Sequence, residues 1–280
     1  MEPGESWAYR ARGIDPLVEV RLVREGSQKP ARVLVHFVAD EFEGREESVP
    51  PARLKVRWDD VESFRAREER WDRVSALGPD RDDPRDCAAS EILDEFIDRD
   101  LAGMNDSDGC SITISRPDEL ADSLGLRIEQ LTEYPEAFRE DGKLIAPWPV
   151  TELVARAAAQ MNAEAVLQRV ESEERKAQHA AIHGEYLSGR GRHFIDPEIS
   201  AKVDRDHGKP IRDVLRAWCG ADNVERFDEL VELRKEIKRV GEVAERAIAA
   251  LRAHGHDAVA AQIERELGTP VEMLRAELPD

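Results

Sequence analysis

At 280 residues, 41% of them apolar, the chain can bury more than one core, and two or three domains are expected. Only 5% of residues are aromatic and 36% are charged, a balance that suits long solvated helices. A net charge of −19 repels nucleic acid at long range, so DNA binding would need a local basic face.

The charge is uneven. Lys+Arg against Asp+Glu counts are 14 and 16 over residues 1–77, 7 and 19 over 78–150, and 20 and 25 over 151–280. The middle segment, at −12, is the most acidic. Cys87, Cys110 and Cys219 show no C-x-x-C spacing, which predicts free thiols in a reducing cytosol. No basic flank followed by an apolar run opens the sequence, and no apolar run reaches bilayer length. A cytoplasmic protein without membrane association is expected.

Residues 6–58 read as strands. Trp7 to Tyr9 is the first. Leu17 to Val23 follows, with Val18, Val20 and Leu22 alternating against Glu19 and Arg21. Gly26-Ser27 marks a turn. Arg32 to Val38 places Val33, Val35 and Phe37 on one face. After turn residues 40–44 come Arg45 to Val49, a 3₁₀ turn at Pro50 to Leu54, and a last strand at Lys55 to Trp58. Short alternating strands with frequent turns predict a small antiparallel barrel. A strand, a Pro-containing single turn and a short closing strand resemble the end of an SH3-like or Tudor-like barrel. That resemblance implies binding of peptides or proteins, with Trp7, Tyr9, Phe42 and Trp58 lining an aromatic groove. The competing expectation is that these aromatics fill the core.

Asp59 to Ala76 predicts a charged helix across an open end of the barrel, with Val61, Phe64, Trp71 and Val74 near one face. Residues 78–84 hold one glycine, two prolines and four charges and read as a linker. Residues 86–102 predict an amphipathic helix. Asn105 to Gly109 resembles a calcium loop, but Met104 and Ser115 stand where ligands belong, so calcium is excluded. Ser111 to Ser115 is a strand. Ser115 is expected to cap the next helix, with Pro117 in its first turn.

Leu120 to Tyr134 resembles the helix-turn-helix pattern. Ala121 is small where the helices approach, Gly125 makes the turn, and Leu120, Leu124, Leu126, Leu131 and Tyr134 seal the pair. With a wing at Gly142 to Trp148, the element order resembles a winged-helix domain, which implies that the second helix reads DNA. Arg127 and Gln130 are suitable readers, but Glu129, Glu133 and Glu136 repel phosphates, and Pro135 ends the helix early. The acidic version predicts a basic protein partner or a scaffold.

Thr151 is expected to cap a helix running to Leu187, and Ser188 to His193 forms a basic loop in which Arg190 and Arg192 could meet a phosphate. His179 and His183, at i and i+4, have zinc-ligand spacing, with His193, Asp196, His207 or Cys219 as third ligands. Two exposed histidines on a polar helix is the expected reading, and neither metal nor cofactor is expected.

Ile211 to Trp218 is a short helix. A long helix over about 222–253 carries Phe227, Leu230, Ile237, Val240, Ala244, Ala247 and Leu251, a stripe suited to a coiled-coil seam or to a hairpin with the 150–187 helix. Two short helices, divided at Gly268, close the sequence.

The expected fold is α+β and mainly α. It comprises a β-barrel with trailing helix (1–77), an acidic winged-helix-like domain (78–148) and a long-helix domain (149–280). No phosphate loop, dinucleotide fingerprint or nucleophile elbow is present. The expected function is a non-enzymatic protein-interaction or adaptor role, with possible self-association through the C-terminal helices. The alternative is a DNA-associated regulator using the helix-turn-helix, the basic residues Arg10, Arg12, Arg21, Arg24, Lys29 and Arg32 of the first segment, or the 190–192 loop. High Arg, Ala, Asp and Glu usage together with the barrel segment resembles proteins of actinobacteria and their phages, which implies a mobile-element, host-interaction or defence setting.

Overall fold

The computed structural model describes residues 1–13, 15–26, 29–42, 44–105, 109–187 and 193–276. Of the described residues 60% are helical and 17% lie in strands, so the fold is α+β and mainly α. In chain order come β1 (Ser6–Tyr9), β2 (Val18–Glu25), β3 (Val33–Phe37), β4 (Glu46–Val49), a 3₁₀ turn (Pro51–Arg53), β5 (Leu54–Arg57) and α1 (Val61–Ser75). Then follow α2 (Pro84–Phe96), β6 (Ala102–Met104), β7 (Ser111–Ile114), α3 (Pro117–Leu124), α4 (Ile128–Thr132), β8 (Phe138–Glu140) and β9 (Lys143–Pro147). The remainder is α5 (Trp148–Met161), α6 (Ala163–His183), β10 (Glu185–Leu187), β11 (His193–Ile195), α7 (Pro197–Val203), a π segment (Asp204–Gly208), α8 (Lys209–Cys219), α9 (Ala221–Ala253) and α10 (Asp257–Ala276).

Contacts divide the chain into two compact units, residues 1–79 with 98–151, and 80–97 with 152–280. The division is discontinuous and does not follow the segment boundaries at 77 and 148. Residues 80–97 leave the middle segment for the second unit.

The first unit holds two antiparallel sheets. One has strand order β4-β3-β2-β1-β5. The period-two pattern sends Val20, Leu22, Val33, Val35, Phe37 and Val49 into one buried cluster with Tyr9 and Leu54. The opposite side of β1 turns Ala8 toward Leu17 and Val61, against which Phe64 also packs, so the start of α1 covers that side. The other sheet has order β6-β7-β9-β8. Between β7 and β8 sit α3 and α4. Gly125 takes φ 64° at the end of α3, and the Leu126 N–H donates to Ala121 O at 2.9 Å, satisfying a carbonyl the helix end leaves open. Asp141 and Gly142, at φ 49° and 79°, make the tight β8–β9 turn.

Within this unit α1 ties the two sheets together. Arg10, beside β1, pairs its two terminal guanidinium nitrogens with Glu68 at 2.6 and 2.7 Å. One turn on, Trp71 meets Phe138 edge-to-face at 5.3 Å and donates its indole N–H to Glu140 at 2.9 Å. Arg67 also pairs with Glu140.

Several local expectations are corrected. The residue preceding α3 is Arg116, without a side-chain cap, so Ser115 does not cap it. Thr151 does not open a helix; it lies inside α5, fully buried, with its hydroxyl unpartnered. The 86–102 helix stops at Phe96, because Ala102 to Met104 pair with β7. The helix expected to reach Leu187 is broken at Asn162, whose side-chain amide donates back to Ala158 O at 2.9 Å. It ends at Gly184, and residues 185–187 pair with 193–195 instead. The division at Gly268 is absent: α10 is one helix.

The second unit is helical. Asp83 caps α2 by accepting from the Arg85 N–H at 2.8 Å, with Pro84 in the first turn. Its core includes Ala88, Ile92 and Leu93 of α2, Val166, Leu167 and Val170 of α6, and Leu215 and Trp218 of α8. Arg169 of α6 reaches Glu91 (2.8 Å) and Glu95 of α2 and Glu173 of its own helix (2.9 Å). Desolvation raises the Glu91 pKa, Arg169 opposes that rise, and Glu173 and Glu95 add to it. Between α7 and α8 the π segment lets Asp204 meet Arg212 eight residues on, at 2.8 and 3.0 Å. Gly208 lies between them, and a Cβ there would sit 2.6 Å from Asp204 Oδ1. Among the described residues no helix is long and apolar enough to cross a membrane.

Candidate functional site

The four aromatics expected to form a groove fall into two groups. Tyr9 is 5% exposed, packs edge-to-face on Phe37 at 5.4 Å, and accepts from Arg53 at 3.3 Å. Phe42 lies on Phe37 at 4.9 Å, and Trp7 packs against the same cluster. Trp58 instead packs with Ala8, Leu17 and Val61, the group on the other side of β1. The alternation of β1 explains the separation: Trp7 and Tyr9 point one way and Ala8 the other. Trp7 and Trp58 are half-buried and keep accessible surface.

The helix pair presents a sharper surface. Asp118, Asp122, Glu129 and Glu133 are all exposed on α3, α4 and the residue that ends α4. Glu119 is exposed too, but pairs with Arg116 at 2.9 Å. Arg127 and Gln130 are brought together at the start of α4. The Arg127 backbone N–H donates to Gln130 Oε1 at 2.9 Å, closing the start of α4. Gln130 thereby spends its carbonyl locally. At five residues, α4 is about 7.5 Å long. Leu131 is fully buried beneath it, and Pro135 follows within three residues of its end.

Arg190 and Arg192 lie outside the described residues. The rings of His179 and His183 lie 4.6 Å apart on α6, tilted by 48°. Cys219, one of the possible third ligands, is fully buried, with its sulfur 3.8 Å from Ala163 O, and burial pushes its thiol up to about 11. Among the described residues no group of three or more His, Cys, Asp or Glu is placed to hold a metal ion.

A cleft of about 570 Å³ lies between α6 and α9. Arg216 is tied to Asp228 there at 2.7 and 2.8 Å, and Lys235 to Glu232 at 2.7 Å. Its lining sets Glu171, Glu174, Asp228 and Glu232 against Arg175, Arg216 and Lys235, and Phe227 forms part of the wall.

One feature was not read from the sequence as functional, the Trp71–Phe138–Glu140 contact, which only tertiary pairing reveals. On the outward face of α9, Leu230, Leu233, Val240 and Val243 are each about half exposed. The spacing of α9 showed a stripe, but not which part of it stays uncovered.

Comparison with protein-family models, with curated proteins and with solved structures gives no match to this chain.

Proposed function

We propose that the chain is a non-enzymatic interaction protein of the cytoplasm, an adaptor that takes a basic protein segment on the acidic surface of α3 and α4. The observation that carries this reading is the set of exposed carboxylates Asp118, Asp122, Glu129 and Glu133, on the pair that would have to present cations to phosphates. A short α4 whose Gln130 is engaged at its own helix start adds to the argument.

The finer architecture belongs to the same proposal. Strand order β4-β3-β2-β1-β5, with a 3₁₀ turn before β5, fits an SH3-like barrel. A strand, two helices and a hairpin whose second strand pairs with the first strand fit a winged helix. Its customary leading helix would be α2, which belongs to the other unit. In this reading the barrel offers a second protein-binding surface near Trp7. The resemblance noted above would put such an adaptor in a mobile-element or defence setting.

Fluorescence anisotropy at low salt tests the proposal. A labelled arginine-rich peptide is expected to bind, and Asp122→Lys/Glu129→Lys/Glu133→Lys to abolish that binding. Tight, salt-sensitive binding of a DNA duplex, with the peptide inert, would instead establish the DNA-associated alternative.

A further inference from the structure

The stripe on α9 divides into two faces. Phe227 and Ile248 are buried against the chain's own helices, at 4% and 8% exposure. Leu230, Leu233, Val240 and Val243 point outward, at 45%, 57%, 54% and 53% exposure. Leu230, Leu233, Ile237, Val240, Ala244, Ala247 and Leu251 follow alternating steps of three and four, the spacing of a coiled-coil seam. A helix of this length packed only on its own unit would keep its outer side polar.

We propose that a second copy of this chain covers this face, with the two α9 helices side by side and parallel. Two observations select that occupant. The first is area. Half-exposed Leu and Val side chains leave roughly 350 Å² of apolar surface per copy, and at the ~65% apolar fraction of homodimer interfaces this corresponds to about 1,100 Å² buried in total, just above the ~1,000 Å² a specific interface needs.

The second is charge. Glu229 and Arg234 flank the outward residues on opposite sides. Neither has an ion-pair partner among the described residues, whereas nearby Glu232, Lys235, Glu236 and Arg239 are paired within the helix. Residues five apart cannot meet on one helix, but they are the pair that meets across a parallel two-stranded seam. In register, Glu229 of each copy faces Arg234 of the other, twice by symmetry. An antiparallel arrangement along the whole stripe would leave both charges opposite uncharged residues. One heptad on, the flanking positions are Glu236, already paired with Arg239, and Gly241; beyond them the half-exposed Val243 adds apolar contact to the parallel form.

The inference is independent of what the acidic helix pair binds. Sedimentation equilibrium of the full chain across the micromolar range tests it. The expected result is a reversible dimer at twice the 31.6 kDa chain mass. Leu233→Glu/Val240→Glu is expected to weaken it at least about a hundredfold, because two carboxylates per copy would be desolvated. Circular dichroism should show unchanged helicity, since both positions face solvent in the single chain. Glu229→Arg is expected to weaken the dimer about tenfold and Glu229→Arg/Arg234→Glu to restore it. A wild-type monomer, or a dimer that survives the double Glu variant, overturns the proposal. A dimer indifferent to both charge variants overturns the parallel register.

Discussion

Gly208→Ala in the π segment is expected to destabilise the helical unit, against the usual sign of that substitution. In an ordinary helix interior, Gly→Ala stabilises by about 1 kcal/mol through backbone entropy and propensity. Here the new Cβ would lie 2.6 Å from Asp204 Oδ1 and 3.0 Å from Arg212 Nη1. Asp204 Oδ1 must move and Arg212 Nη1 must give by a few tenths of an ångström, and the expected result is that the bidentate pair opens. The Arg212 side chain is 9% exposed, and its Nε is already buried without a partner. Breaking a buried pair costs about 3–5 kcal/mol, and the 30% exposure of the Asp204 side chain reduces that to roughly 2–3 kcal/mol. Subtracting the propensity gain leaves a net loss of about 1–2 kcal/mol. Gly241→Ala in α9 is the matched control, since nothing lies within 4 Å of its Cβ, and it should stabilise by about 0.5–1 kcal/mol. Urea denaturation of both variants, followed by far-UV circular dichroism, reads the difference. Equal stabilisation by both substitutions would refute the account of Gly208 as the gap through which Arg212 reaches Asp204.

Other outcomes follow from the same geometry. Cys219 has its thiol pushed up to about 11 from 9.0, so the unfolded chain releases that proton first as pH rises. Stability is therefore intact below pH 9 and falls between about 9 and 11, by roughly 2–3 kcal/mol, relative to Cys219→Ala; parallel pH profiles of the two proteins would disprove this. Trp71→Phe keeps the ring contact with Phe138 but loses the indole bond to Glu140, and should cost the first unit about 1–2 kcal/mol in thermal denaturation. Arg10→Met removes both bonds to Glu68 and should cost about 2–3 kcal/mol; an unchanged melting temperature would show that this pair adds nothing to the packing of Val61 and Phe64 in holding α1 on the first sheet.

What the sequence made legible was local. Alternation through Val18 to Leu22 and Val33 to Phe37 reports which side of a strand is buried, and it located the first sheet. Gly125 and Ala121 announced a helix corner because φ and side-chain size are properties of single residues. Pairing over long distances was not legible. Nothing in residues 80–97 says that their helix leaves the middle segment, since Ile92 and Leu93 would suit any apolar surface. Ala102 to Met104 became a strand only because β7 offered a free edge. Asn162 broke a helix whose alanine content argued for continuity, by bonding its side chain to the backbone.

The candidate site was legible unevenly for the same reason. The carboxylates of 118–133 could be counted, whereas their exposure had to be seen. Tyr9 on β1 and Trp58 just after β5 are both aromatic and belong to neighbouring strands, but strand alternation and the packing of α1 put them in separate clusters. On α9, inward Phe227 and outward Leu233 belong to one sequence pattern, because neighbouring seams on a helix share the same spacing.

Amide chemical-shift mapping with an arginine-rich peptide tests the central claim most directly. The interaction account predicts that perturbations concentrate between Asp118 and Glu133, and that they vanish when Asp122, Glu129 and Glu133 are reversed to lysine. Perturbations confined to Arg21, Arg24 and Arg32 on addition of duplex DNA, with the peptide silent, would contradict it.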